Sequence, residues 1–130
     1  MKEFVVNIEG RSGRLAALTQ LLGAAGVNIE ALTGYSHDGK GTLRIIVDDA
    51  IATKRVLREA ALGFTEHAVL TTNMAHRPGE LGRVTGALAD ADIGVDAIYV
   101  LRTHADGIEL ALSVEDPEAA YDVLPVRGSV

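Results

Sequence analysis

Residues 11–32 read RSGRLAALTQLLGAAGVNIEAL, and residues 77–98 read RPGELGRVTGALADADIGVDAI. The two stretches align without a gap at an offset of 66, and Arg11/Arg77, Gly13/Gly79, Leu15/Leu81, Thr19/Thr85, Leu22/Leu88, Ala25/Ala91 and Ala31/Ala97 are identical pairs. Each reads as a tight glycine turn, an amphipathic helix, a second break and the start of a strand. The repeat is longer than a solenoid unit, so it points to two copies of a small domain rather than a stack.

Working outward, KEFVVNIE at residues 2–9 places Phe4, Val6 and Ile8 on one face of a strand, and Leu70–Met74 is its counterpart, with Asn7 and Asn73 coinciding. Inside the repeat, Leu15, Leu18, Leu22 and Ala25 recur at helical spacing, as do Leu81, Val84, Leu88 and Ala91. Ser12 reads as an N-cap, Gly26 as a C′ stop, and Pro78 as the N1 residue of a helix over 78–91. Strands follow at about 27–36 and 93–103, and loops at 36–41 and 104–107 turn each into a hairpin. The return strands carry Leu43, Ile45 and Val47, matched by Leu110, Leu112 and Val114 at an offset of 67. One residue has therefore been inserted, most simply in the hairpin loop, where insertions cost little.

Asp48-Asp49 and Asp116-Pro117-Glu118 open two further helices, ended by Gly63 and Pro125. The run FTEHAVLTTNMAHRPG from Phe64 holds the last strand of one copy and the first of the next, and little chain remains after Pro125 for a final strand. The expectation is an α+β chain of two tandem ferredoxin-like βαββαβ units, 1–66 and 67–130, with the last strand short or absent. They would form an extended antiparallel sheet with helices on one face. Val5, Leu32, Val69, Ile98 and Val100 would lie on the opposite face, and their apolar character points to a covered face, as in a homodimer.

Composition narrows the function. Of 130 residues 48% are apolar but only 4% aromatic, and the net charge is −6 with scattered Lys and Arg. Nucleic-acid readers need a basic stripe and stacking aromatics, and anionic membrane surfaces need clustered cations, so both partners are disfavoured. The chain has no Cys, no signal-like apolar segment at its N-terminus and no run long enough to span a membrane, which predicts a cytoplasmic protein.

No catalytic constellation emerges. Ser12, Ser36, Ser113 and Ser129 lack a nucleophile-elbow context, the acidic pairs read as helix starts, and the glycines form neither a dinucleotide fingerprint nor a P-loop. His37, His67, His76 and His104 have no i, i+4 pair and no Cys partner, so no metal or cofactor is expected. An acylphosphatase-like hydrolase or an RNA-recognition domain could share the topology, but the doubled pattern opposes the first, and missing aromatics and positive charge oppose the second. Gly13 and Gly79 either bring backbone close to a ligand at a helix N-terminus or simply form tight turns. Arg11 and Arg77 either clamp a carboxylate or lie solvated. Asn28 either binds a ligand or satisfies local backbone.

The turn Arg77-Pro78-Gly79-Glu80-Leu81 after a strand, and Gly26-Val27-Asn28-Ile29 after a helix, resemble the marks of the ACT domain. The resemblance covers nearly the whole chain as two tandem, free-standing copies. The motif is split: the first copy has Ser12 in place of the family's Pro, and the second has Gly94 in place of Asn28. The resemblance implies a non-catalytic regulatory protein that binds a small ligand, an amino acid, between ACT-like units. Its ligand residues would be Arg11, Ser12, Gly13, Leu15, Asn28, Ile29, Arg77, Pro78, Gly79, Leu81 and Gly94. A homodimer read by a partner enzyme would follow. The alternative is an interaction or regulatory subunit of a metabolic enzyme whose ligand site is vestigial.

Overall fold

The computed structural model describes residues 1–9 and 12–124. Arg11 and the expected final strand after Pro125 lie outside the described residues, as does the side chain of Ser12.

The chain forms two compact units, Met1–His67 and Ala68–Val130. The first runs β1 (Lys2–Glu9), α1 (Ser12–Ala24), β2 (Ile29–His37), β3 (Lys40–Val47), α2 (Ala50–Glu59) and β4 (Phe64–Ala68). The second repeats the plan with β5 (Leu70–Met74), α3 (Glu80–Asp90), β6 (Val95–His104), β7 (Gly107–Val114) and α4 (Pro117–Val123). Pairing gives two antiparallel sheets, ordered β2-β3-β1-β4 and β5-β7-β6. This is the tandem ferredoxin-like α+β architecture that the repeat implied.

Each unit has its own core. In the first, Phe4, Val6, Leu43, Ile45 and Val47 of the sheet meet Leu18, Leu22, Val56 and Leu57 of the helices. Phe4 and Phe64 add a tilted ring contact at 5.7 Å. In the second, Leu70, Leu110, Leu112 and Val114 meet Val84, Leu88 and Ala120. Of the expected helix stripes, Leu15 and Leu81 stay partly exposed, because they sit in the first turns of α1 and α3, ahead of the residues that reach the core.

The helix ends follow a common logic. At the end of α1, Val27 N–H bonds Leu22 O and Gly26 N–H bonds Gly23 O, with Gly26 at φ +78°. That is a Schellman motif, as the sequence suggested. The end of α3 repeats it with Asp92 at φ +57°. The end of α2 places Ala61 at φ +56°, not Gly63, in the left-handed position. The helix therefore stops two residues earlier than its glycine indicated. Helices α2 and α4 begin at Asp49 and Asp116, whose side chains accept from Ala52 N–H and Ala119 N–H, each at 3.0 Å.

Three further expectations are corrected. Pro78 is not the first residue of α3: Gly79 holds φ +91°, which is not helical, so the helix starts at Glu80. The inserted residue is not in the hairpin loop, since His37 pairs with Lys40 and His104 with Gly107, leaving two-residue loops in both copies. It is a bulge at Leu101, where the register shifts between Val100 and Arg102. Finally, Leu32, Ile98 and Val100 lie on the helix-bearing face, not the opposite one. Leu32 pairs with Ile45, Ile98 with Leu112 and Val100 with Leu110, all facing core positions. The cause is a register shift between Ile29 and Ala31, repeated between Val95 and Ala97, which reverses the strict alternation read from the sequence.

Candidate functional site

The second unit's strand-to-helix turn lines a pocket of about 710 Å³. Strand β5 delivers Met74, and the chain then turns through His76, Arg77, Pro78 and Gly79 before α3 places Leu81 at the rim. The floor is Ile98 and Val100 of edge strand β6 with Ile108 and Leu110 of β7. The bulge near Asp96 creates this floor, because it turns Ile98 and Val100 toward the helix side. The two are 37% and 59% exposed, and Leu81 is 45% exposed, so the helix does not cover them. The volume suits a small-molecule site, which is typically a few hundred cubic ångströms with apolar walls and few polar groups.

The turn is built tightly. Arg77 N–H bonds Ala75 O at 3.2 Å, and Glu80 N–H bonds Arg77 O at 3.3 Å. Glycine at 79 permits the positive φ that swings the chain into the helix. It also leaves α3 without a side-chain cap, in contrast to α2 and α4. The charges beside the turn are paired: Arg77 Nε donates to Glu80 Oε1 at 3.1 Å, and an Arg83 guanidinium nitrogen to Glu80 Oε2 at 3.2 Å. The Glu80 side chain is mostly buried while both arginine side chains are mostly exposed.

Of the expected ligand residues, the structure gathers Arg77, Pro78, Gly79 and Leu81. Asn28 and Gly94 lie at the other end of their sheets. Asn28 N–H bonds Asp48 Oδ1 at 2.9 Å, its side chain donates to Glu30 at 3.1 Å, and its carbonyl accepts from Asp48 N–H. Ile29 packs against the first core and pairs with Val47. Gly94 O accepts from Glu115 N–H at 3.0 Å. The turn, by contrast, adjoins the hairpin end, where Met74 pairs with Ile108. The six residue steps from Ile108 to Val114 separate the ends by roughly 20 Å of strand. Gly13 and Leu15 occupy the equivalent first turn of α1 and are exposed.

The floor residues Ile98, Val100, Ile108 and Leu110 were missed as site residues. The sequence signal for them was ordinary strand hydrophobicity, which does not separate a core residue from a pocket wall. Among the described residues, no cluster of His, Cys, Asp or Glu could hold a metal ion. Nor is any helix long and apolar enough to cross a membrane.

The family model for the ACT domain pair matches residues 1–127. This chain belongs to that family. ACT pairing agrees with the two repeated units and with the solved structures that resemble them. A protein from Bacteroides thetaiotaomicron superposes with TM-score 0.84 at 21% identity, over 97% of this chain and 90% of that chain. The regulatory subunit of aspartate kinase from Thermus thermophilus, in its ligand-free form, gives TM-score 0.68 at 14% identity, over 94% and 90%. Aspartate kinase from Clostridium acetobutylicum gives TM-score 0.56 at 17% identity, where the match takes 94% of this ACT pair but 32% of the enzyme. At such identities the likeness is one of fold. No curated protein matched the sequence.

Proposed function

We propose that this ACT pair is a non-catalytic regulatory protein that binds a small ligand, an amino acid, at the turn through Arg77, Pro78, Gly79 and Leu81. The observation that carries the reading is the pocket of about 710 Å³, whose walls are largely apolar and whose polar groups gather at the turn. Gly79 lets that turn approach a ligand with backbone rather than side chain. The Thermus thermophilus protein of the same fold is a regulatory subunit, which agrees with a regulatory role. In this reading the protein is cytoplasmic and homodimeric, and ligand binding changes an arrangement that a partner enzyme detects. Edge strand β2 carries exposed Leu32 on one face and exposed Tyr35 on the other, and in this reading its edge is where self-association occurs.

A second reading, an interaction subunit with a vestigial site, draws on one observation. Arg77 already pairs with Glu80, which weakens it as a clamp for a ligand carboxylate.

A thermal-shift screen of the standard amino acids separates the two. A ligand at about 100-fold its Kd adds about 2.7 kcal/mol of stability. For a chain of this size the midpoint rises by on the order of 10 °C. No shift with any amino acid, on protein shown to be folded by circular dichroism, overturns the sensor reading and favours the interaction subunit.

A further inference from the structure

We infer that the pocket of the second unit selects amino acids with aliphatic side chains and rejects those with charged ones. This rests on the ligand-binding reading above and specifies the ligand class it takes.

The walls carry the argument. Met74, Leu81, Ile98, Val100, Ile108 and Leu110 surround most of the volume, and no acidic side chain is among the lining residues. A Lys or Arg side chain on the ligand would leave water without a counter-charge there, which is unfavourable. The carboxylate at the turn, Glu80, bonds both Arg77 and Arg83. A ligand side-chain carboxylate on the floor fares no better, because Ile98, Val100, Ile108 and Leu110 offer it no side-chain donor. An aliphatic side chain meets neither cost. It covers Leu81, Ile98 and Val100, which are otherwise solvent-exposed, and removes their apolar surface from water.

The polar functions are arranged to suit this. His76, Arg77 and the Gly79 backbone lie together at the turn, while β6 and β7 form the apolar floor. An amino acid laid across the pocket would put its backbone groups at the turn and its side chain on the floor. Val100 adds bulk to the second copy, since its equivalent in the first copy is Gly34. It pairs with core residue Leu110, as Gly34 pairs with Leu43. The valine therefore supplies a wall that the first copy lacks at that point, and makes the selectivity a property of the second unit.

Calorimetry on the intact chain tests this with L-leucine, L-isoleucine, L-valine and L-methionine against L-aspartate, L-glutamate, L-lysine and L-arginine. The expected result is at least tenfold tighter binding for the best aliphatic amino acid than for any charged one. The substitution Val100→Asp, at an exposed position that should leave folding intact, is expected to weaken that binding at least tenfold. Leu81→Asp, also exposed, is the second variant should the first fail to fold. A charged amino acid binding more tightly than every aliphatic one overturns the inference and leaves the sensor reading standing. Aliphatic binding that neither folded variant changes overturns the assignment to this pocket. Absence of binding by any amino acid, on folded protein, overturns the sensor reading and the inference with it.

Discussion

Three left-handed residues end three helices, and only one of them is a glycine. Gly26 takes the position at no steric cost, whereas Ala61 and Asp92 hold φ values of +56° and +57° with a Cβ present. A non-glycine residue there costs roughly 1–2 kcal/mol, partly offset in a glycine by its greater unfolded-state freedom. Ala61→Gly is therefore expected to stabilise the protein by about 0.5–1 kcal/mol, seen as a higher denaturation midpoint in urea with an unchanged slope. The position was not legible in the sequence. Gly63 advertised a stop, but the Leu62 N–H bond to Leu57 O fixes it two residues earlier. The turn glycine was legible, because a glycine between a strand pattern and a helix pattern has few other uses. That Arg77 would be held by Glu80 was not, since several acidic residues could have met it.

At the scale of strands, the two copies solve one position in different ways. In β1 and β3, the Glu3 carboxylate is fully buried and meets an Arg44 guanidinium nitrogen at 3.1 Å. The equivalent sequence positions in the second copy are Val69 and Ala111, both fully buried and apolar. Breaking a buried pair on one side is costly, while replacing both partners by apolar residues is often neutral. Arg44→Ala alone is expected to lose about 3 kcal/mol, and Glu3→Val with Arg44→Ala to recover most of that loss. Equilibrium denaturation of the double-mutant cycle checks it, and additive losses would refute the comparison. Strand existence and order were legible from alternation and turn residues. The bulges were not. A one-residue register shift leaves composition unchanged but turns every later side chain to the other face. That is why Leu32, Ile98 and Val100 were expected on the wrong side, and why the pocket floor escaped notice.

For the whole molecule, charge and duplication set the limits. A net charge of −6 without a basic stripe predicts no retention of duplex DNA or structured RNA in a mobility-shift assay at about 0.15 M salt. A shift that weakens steeply as salt rises would contradict this. Each unit buries its own cluster, the first around Phe4, Ile45 and Leu57 and the second around Leu70, Leu88 and Leu112. The amino-acid screen also belongs at this scale, since stabilisation by ligand is read on the unfolding of the chain.

Sequence alone determined the duplication, the α+β character, the strand and helix order, the Schellman stop at Gly26 and the place of the second turn. These depend on local periodicity and on residues whose backbone preferences are strong, so a single strand of text carries them. Tertiary structure decided the helix start at Glu80, the bulge at Leu101, the faces of β2 and β6, and hence the apolar pocket beside Gly79. Those features depend on which residue stands opposite which across a ladder. That pairing is set by packing between distant segments, and local pattern does not encode it.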